Sequence, residues 1–311
     1  MIISASRRTD IPAFYSDWLK NRIKEGFVCV RNPLNPKQIS RISLHPNAVD
    51  GIVLWTKDPA PIIDCIEILK PFPYYFQFTL NPYGRDIEPG LPSKEKLTDV
   101  FKRLSDIVGP ERVLWRYDPI IISSKYTVNY HIEHFYYLSG ILSGYTDVCT
   151  FSFLDIYRNT LSHMKMIEPD IITPQVMNKL ASAFSVIAKG RRIRLQTCAE
   201  DIDLEKYGIS HGRCIDDRLF ERITGDKYRY RKDANQRSAC GCMESVDIGA
   251  YDCCLNGCKY CYATHFLNLP AKNHSLHDPM SPLLIGSITE TDRVTDKKNK
   301  SSIITQLKMD I

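Results

Sequence analysis

Three thiols spaced for one small inorganic group stand near the end of the chain. In YDCCLNGCKYCYAT (residues 251–264), Cys254, Cys258 and Cys261 follow C-x3-C-x2-C, and Tyr260 precedes the last of them. A saturated structural metal takes four ligands, whereas a catalytic metal keeps one position open. Soft thiolates suit iron-sulfur units, and a compact loop can place several round one cluster. Three thiolates on a [4Fe-4S] cluster would leave one iron free to bind a substrate or cofactor. The competing use of the trio is a zinc ion completed by Cys253, His265 or a more distant cysteine. A pure electron carrier is expected to fill every iron position with cysteine. Cys253 adjoins Cys254, so their side chains diverge and Cys253 has no assigned role. His265 could shield the iron or sit on a helix face.

With its aromatic, the run Cys254-LNG-Cys258-Lys259-Tyr260-Cys261 resembles the C-x3-C-x-aromatic-C signature of the radical S-adenosylmethionine enzymes. The resemblance implies a [4Fe-4S] cluster on the three cysteines and S-adenosylmethionine chelated at its open iron, with Tyr260 beside the adenine. One electron, from a reductant such as flavodoxin or ferredoxin, then yields methionine and a 5′-deoxyadenosyl radical that abstracts hydrogen from a substrate. In that family the motif follows the first barrel strand; here it lies near the chain end. ESVDIGAYD, the loop and YATHFLNL read as strand, cluster loop and helix, the family's first unit moved to the end of a permuted barrel. The whole layout, from SASRRTDIPAFY to the terminal cysteines, resembles an uncharacterised bacterial family, a domain of unknown function described as carrying a radical-SAM-like cluster at the carboxy terminus. That resemblance supplies no substrate.

Four further cysteines, Cys198, Cys214, Cys240 and Cys242, make up the saturated number. They are candidates for a second [4Fe-4S] centre that relays an electron or braces its segment, with a zinc site or unrelated buried thiols as the alternatives. Cys29, Cys65 and Cys149 lie singly in apolar runs and read as small buried hydrophobes.

Polar groups at strand ends supply the rest of the candidate site. Arg7 and Arg8 could clamp a carboxylate or phosphate, with Asp10 orienting one of them or capping the helix that follows. Arg116 and Asp118 could meet the methionine moiety or ribose of the cofactor, by analogy with that family. Lys57, Asn81 and Asp155, the last with Tyr157 and Arg158 nearby, occupy equivalent ends.

The elements that must position these groups alternate. MIISAS, GFVCVRN, GIVLWT, YYFQFTL, RVLWRY, VCTFSFL and RIRLQTC read as strands. Pro61 to Leu69, Lys94 to Val108, Val128 to Leu142 and Thr173 to Ala188 have helical spacing. Alternating β and α predicts a parallel sheet covered by helices, and polar strand ends point to a full or partial (β/α) TIM-like barrel over residues 1–197. A cysteine-rich segment, 198–286, completes or caps it, and 287–311 forms a loose polar tail. A flat doubly wound sheet is the alternative, but no G-x-G-x-x-G follows the first strand and no P-loop occurs, so dinucleotide and P-loop readings lack their glycine scaffolds.

The 311 residues are 43% hydrophobic and 25% charged, with a net charge of +5, a composition for a packed enzyme-sized protein. No apolar run reaches the roughly 18 residues of a membrane span, and MIISASRRTD lacks a secretory signal. A cytoplasmic protein is expected, whose clustered thiols hold metal rather than disulfides. KYRYRKDANQR fits nucleic-acid contact or a solvated basic connector, the latter favoured. The rival functions are a zinc-stabilised nucleic-acid-binding protein and an iron-sulfur electron carrier.

Overall fold

In the computed structural model, which describes residues 1–157, 160–165 and 167–304, the apolar runs become the core of an α/β fold. The strands are β1 (Ile2–Ala5), β2 (Phe27–Asn32), β3 (Asn35–Ser43), β4 (Gly51–Thr56), β5 (Tyr74–Thr79), β6 (Val113–Ile120), β7 (Val148–Phe153), β8 (Arg194–Thr197), β9 (Ser210–His211), β10 (Val246–Asp247) and β11 (Arg293–Asp296). Among the described residues there are nine α-helices: α1 (Ile11–Phe14), α2 (Ser16–Glu25), α3 (Ala60–Ile63), α4 (Lys94–Val108), α5 (Val128–Leu142), α6 (Leu161–Met164), α7 (Pro174–Arg191), α8 (Asp217–Thr224) and α9 (Leu269–His274). None of the helices is long and apolar enough to cross a membrane.

Eight strands form one parallel sheet in the order β10-β1-β4-β5-β6-β7-β8-β9. The order never reverses after β1, so the sheet lacks the switch-point crevice of doubly wound folds. Among the described residues β9 and β10 do not pair, and the sheet is open rather than a closed barrel. β1 and β7 are buried at every residue, as strands covered on both faces must be.

The two faces are covered by different material. On one, Ile3, Leu54, Phe76, Trp115 and Phe151 pack into the large core with the helices. Phe135 of α5 and Phe184 of α7 stack at 3.9 Å, with Trp115 against Phe135 at 5.1 Å. α4 and α5 begin at hydroxyl caps, Ser93 accepting from Lys96 N at 3.3 Å and Thr127 from Tyr130 N at 3.1 Å.

Alternate residues point the other way. Ile2, Val53, Tyr75 and Leu114 meet Cys214, Phe220, Tyr228, Cys240 and Cys242 in a second core. The cysteine-rich segment thus lies against the inner face of the sheet. Gly51 permits this, because a Cβ there would stand 2.3 Å from the Phe220 ring. The carbonyl of Cys214 is held by Tyr75 Oη and Gln77 Nε2, both at 2.8 Å.

Four sequence expectations change. GFVCVRN forms β2, which does not join the main sheet; it pairs antiparallel with β3 across the Asn-Pro turn, in a three-stranded sheet with β11. Pro61 to Leu69 divides into α3 and a 3-10 turn at Ile66–Leu69. Of YATHFLNL only the last residue, Leu269, is helical. The helix starts at Leu269 because Pro270 is tolerated only in a first turn. The expected loose tail is bound over its described part: β11 pairs parallel with β3, and Ser301 Oγ and Ser302 N donate to Asp50 at 2.8 and 2.6 Å.

Candidate functional site

At the carboxyl ends of β1, β4, β6, β7 and β8 lies a cavity of about 520 Å³. Cys198, Cys214, Cys240, Cys242, Cys254, Cys258 and Cys261 all line it, so a single space receives both cysteine sets.

The three-cysteine loop is positioned by contacts from the sheet ends and from residues 87–90. Lys259 N donates to Ile87 O and Gly90 N to Asn256 O, both at 3.0 Å. Gly257 takes φ +64°, which suits the glycine of the motif. Asn256 Nδ2 donates to Asp10 Oδ2 at 3.1 Å. Burial pushes the Cys258 thiol up to about 12 and raises those of Cys254 and Cys261. Such thiols are protonated until a metal displaces the proton. The two neighbours of the trio point elsewhere: Cys253 Sγ donates to Ala250 O at 3.1 Å, and the His265 ring, exposed, bonds Asp252 at 2.8 Å.

The second set meets as thiols in contact. Cys198 and Cys214 are 3.2 Å apart, sulfur to sulfur, and Cys242 bonds both Cys214 and Cys240. A hydrogen bond from Cys214 holds the Cys198 thiol low, and bonds from Cys214 and Cys240 hold Cys242 low; Cys214 and Cys240 are raised in turn. Among the described residues no three His, Cys, Asp or Glu side chains, those of the three-cysteine loop included, stand in the arrangement of a single-ion site. Sulfurs about one zinc lie roughly 3.8 Å apart, so these thiols would spread to admit an ion. Arg116 Nη1 donates to Cys214 Sγ at 2.7 Å, and its other nitrogen pairs with Asp118, which also accepts from Ser152.

The remaining candidates divide by role. Arg7 and Arg8 line the cavity. Arg7 pairs with Asp233 at 3.5 Å, while its buried Nη2 has no hydrogen-bond partner among the described residues. Arg8 lies over Tyr251 at 5.0 Å. Asp10 accepts from Ala13 N, Lys57 N and Asn256, so it both caps α1 and braces the cysteine loop. Its burial, opposed by these bonds, raises it to about 6. Lys57 is bound to Glu88 at 2.9 Å and lies 5.4 Å from the Tyr260 ring. Asp155 pairs with Arg237 at the cavity mouth.

Asn81 does not line the cavity. It is a strut, with its amide exchanging bonds of 2.8 Å with the Asp118 backbone and donating to Tyr260 Oη at 3.1 Å. Arg158 lies outside the described residues.

Three contributors were not read from the sequence. Asp247, at the end of β10, accepts from Ser4 and Ser6 hydroxyls at 3.1 and 2.6 Å and from Arg7 N at 2.8 Å, and so holds the β1 terminus. An acid at a strand end, the signal used for Asp10 and Asp118, would have found it. Glu88 is buried between Lys57, Lys94 at 2.6 Å and Tyr260 Oη at 2.5 Å; nothing in RDIEPG announces this. Trp55 lies between Arg7 and Arg116, at 5.6 and 5.1 Å, as strand alternation in GIVLWT would place it.

A family model described as "Domain of unknown function (DUF1848)" matches residues 2–263, a stretch that contains all seven cavity cysteines. No curated protein and no solved structure matches the chain.

Proposed function

The chain belongs to the DUF1848 family, and from the cavity that its residues build we propose a radical S-adenosylmethionine enzyme on a partial, permuted barrel, acting on an unidentified substrate. The observation that carries this reading is the donor set of the loop: three thiols, Cys254, Cys258 and Cys261, face one cavity while Cys253 and His265 are engaged elsewhere. All-sulfur donors fit an iron-sulfur cluster, and three of them fit one with an open iron. When bound, the cluster would supply the electron that cleaves S-adenosylmethionine. Cys198, Cys214, Cys240 and Cys242 would hold a second cluster, which fits their four sulfurs but needs them to part.

The protein's own residues prepare the space. Glu88 and Asn81 fix the Tyr260 hydroxyl, leaving its ring against the cavity as a face for a flat heterocycle. The unpartnered Nη2 of Arg7 supports binding of a carboxylate or phosphate. Trp55, Tyr251 and Tyr262 wall the cavity and limit the water that would quench a reactive intermediate.

The test is anaerobic reconstitution with iron and sulfide, metal and sulfide counts, then dithionite with S-adenosylmethionine and chromatography for 5′-deoxyadenosine. The reading expects the nucleoside from the native chain and none from Cys258→Ala. Redox-active iron without cofactor cleavage would favour an electron carrier. A preparation holding only zinc, or cleavage retained in Cys258→Ala, would overturn the proposal.

A further inference from the structure

A second concavity, of about 330 Å³, opens at the amino-terminal ends of β1 and β10, the other end of the strands that carry the thiol cavity. Its lining includes Arg229, Arg231, Lys297, Lys298 and Lys300, against a single carboxylate among the described residues, Glu244. Two charge runs remote in sequence meet here: KYRYRK, which the thiol chemistry does not use, and DKKNK near the end of the chain. All five cations are exposed, and among the described residues none of their side chains takes part in an ion pair.

Charge runs that were only solvated would diverge, because like charges repel. These are laced together. Arg229 N donates to Ser302 O at 2.7 Å, Ile304 N to Lys227 O at 2.8 Å and Lys297 N to Arg41 O at 2.8 Å. Beneath them buried Asp50 takes the Met1 ammonium at 2.6 Å, Ser301 Oγ at 2.8 Å and Ser302 N at 2.6 Å. The backbone thus gathers five cations, none ion-paired among the described residues, round one hollow, where their summed field favours an anion.

We propose that this hollow binds a compact, multiply charged phosphate chain. Recognition is by charge and not by a base. The two tyrosines of the basic run are both engaged: Tyr228 is buried and stacked on Phe220, and the Tyr230 ring is covered by Arg213 at 3.9 Å. Among the described residues no aromatic lines the hollow, and single-stranded nucleic acid is usually held by such rings along an extended groove. The volume lies at the small end of ligand sites, roughly 300–1,000 Å³.

Titration calorimetry on the full chain tests this without reference to its iron content, so its outcome is separate from that of the radical-enzyme reading. The probes are inorganic tripolyphosphate, orthophosphate, adenosine triphosphate and a twelve-nucleotide single strand. Tripolyphosphate should bind at least about tenfold more tightly than orthophosphate, weaken as potassium chloride rises from about 50 to 200 mM, and match adenosine triphosphate within about threefold. Lys297→Gln/Lys298→Gln/Lys300→Gln, and separately Arg229→Gln/Arg231→Gln, should each lose about tenfold or more with an unchanged circular dichroism spectrum. If a variant fails to fold, Lys298→Gln alone should lose about threefold. Unchanged affinity in folded variants overturns the site. Binding of adenosine triphosphate more than about threefold tighter than that of tripolyphosphate, or tighter binding of the oligonucleotide than of either, overturns recognition by charge of a compact ligand.

Discussion

Replacing Glu88 by Gln tests the electrostatic frame that holds Tyr260 against the cavity. The carboxylate is almost fully buried between Lys57 at 2.9 Å and Lys94 at 2.6 Å. Its own burial works against the charge, but the two lysines and the Lys94 and Tyr260 hydrogen bonds overcome it and lower the group from 4.5 to about 2. A gap of roughly 2.5 units at about 1.4 kcal/mol each is worth about 3 kcal/mol. Removing one partner of a buried ion pair commonly costs 3–5 kcal/mol, the same order. Because the folded value is depressed, this stability is complete above the unfolded value of 4.5 and is lost as the pH falls toward 2. About 1 kcal/mol should be gone by pH 4. Urea unfolding of the metal-free, reduced chain at pH 7 should therefore show the Gln variant less stable by about 3 kcal/mol, and the difference should shrink by about 1 kcal/mol at pH 4. A difference under about 0.5 kcal/mol at pH 7, or one indifferent to pH, would refute the assignment of Glu88 as the ionised hub.

Other consequences follow from the same geometry. On the two-cluster proposal, Cys258→Ala should lose about half of the iron of the reconstituted chain and Cys214→Ala the other half, read by iron counts and by the distinct signals of reduced clusters in electron paramagnetic resonance; loss of all iron from either variant would mean one shared site. Gly51→Ala should destabilise by about 1–3 kcal/mol, since its methyl would stand 2.3 Å from Phe220; adding Phe220→Leu should recover part of the loss in the same unfolding assay. Arg116→Gln strands Asp118 and removes the donor to Cys214, with an expected cost of about 3–5 kcal/mol and lower iron retention after gel filtration.

Most of the sheet was legible because its strands are buried on both faces, and such strands show as continuous apolar runs that need no knowledge of their partners. Helices α4 and α5 were legible to their end residues, since Ser93 and Thr127 cap them and their apolar spacing is regular. GFVCVRN shows where local pattern fails: its β character is real, but no local signal says which sheet it joins. YATHFLNL failed through neglect of Pro270, a signal that was present.

The candidate site divides in the same way. Cys254, Cys258 and Cys261 lie within eight residues, so one loop suffices to gather them and their spacing already marks them as one candidate set. Cys198, Cys214, Cys240 and Cys242 span three separate connections, and only the packing of α8 and its flanks on the inner face of the sheet brings their sulfurs into contact. Apart from Lys94, six residues on, Glu88 owes its role to Lys57 and Tyr260, 31 and 172 residues away, and Asp247 to Ser4, 243 residues away. Chain order alone therefore specified the candidate donors and the alternation of elements, which are properties of neighbouring residues. Folding decided which charges would be buried together and that both thiol sets would open on one cavity, because those depend on contacts whose sequence separation no local pattern encodes.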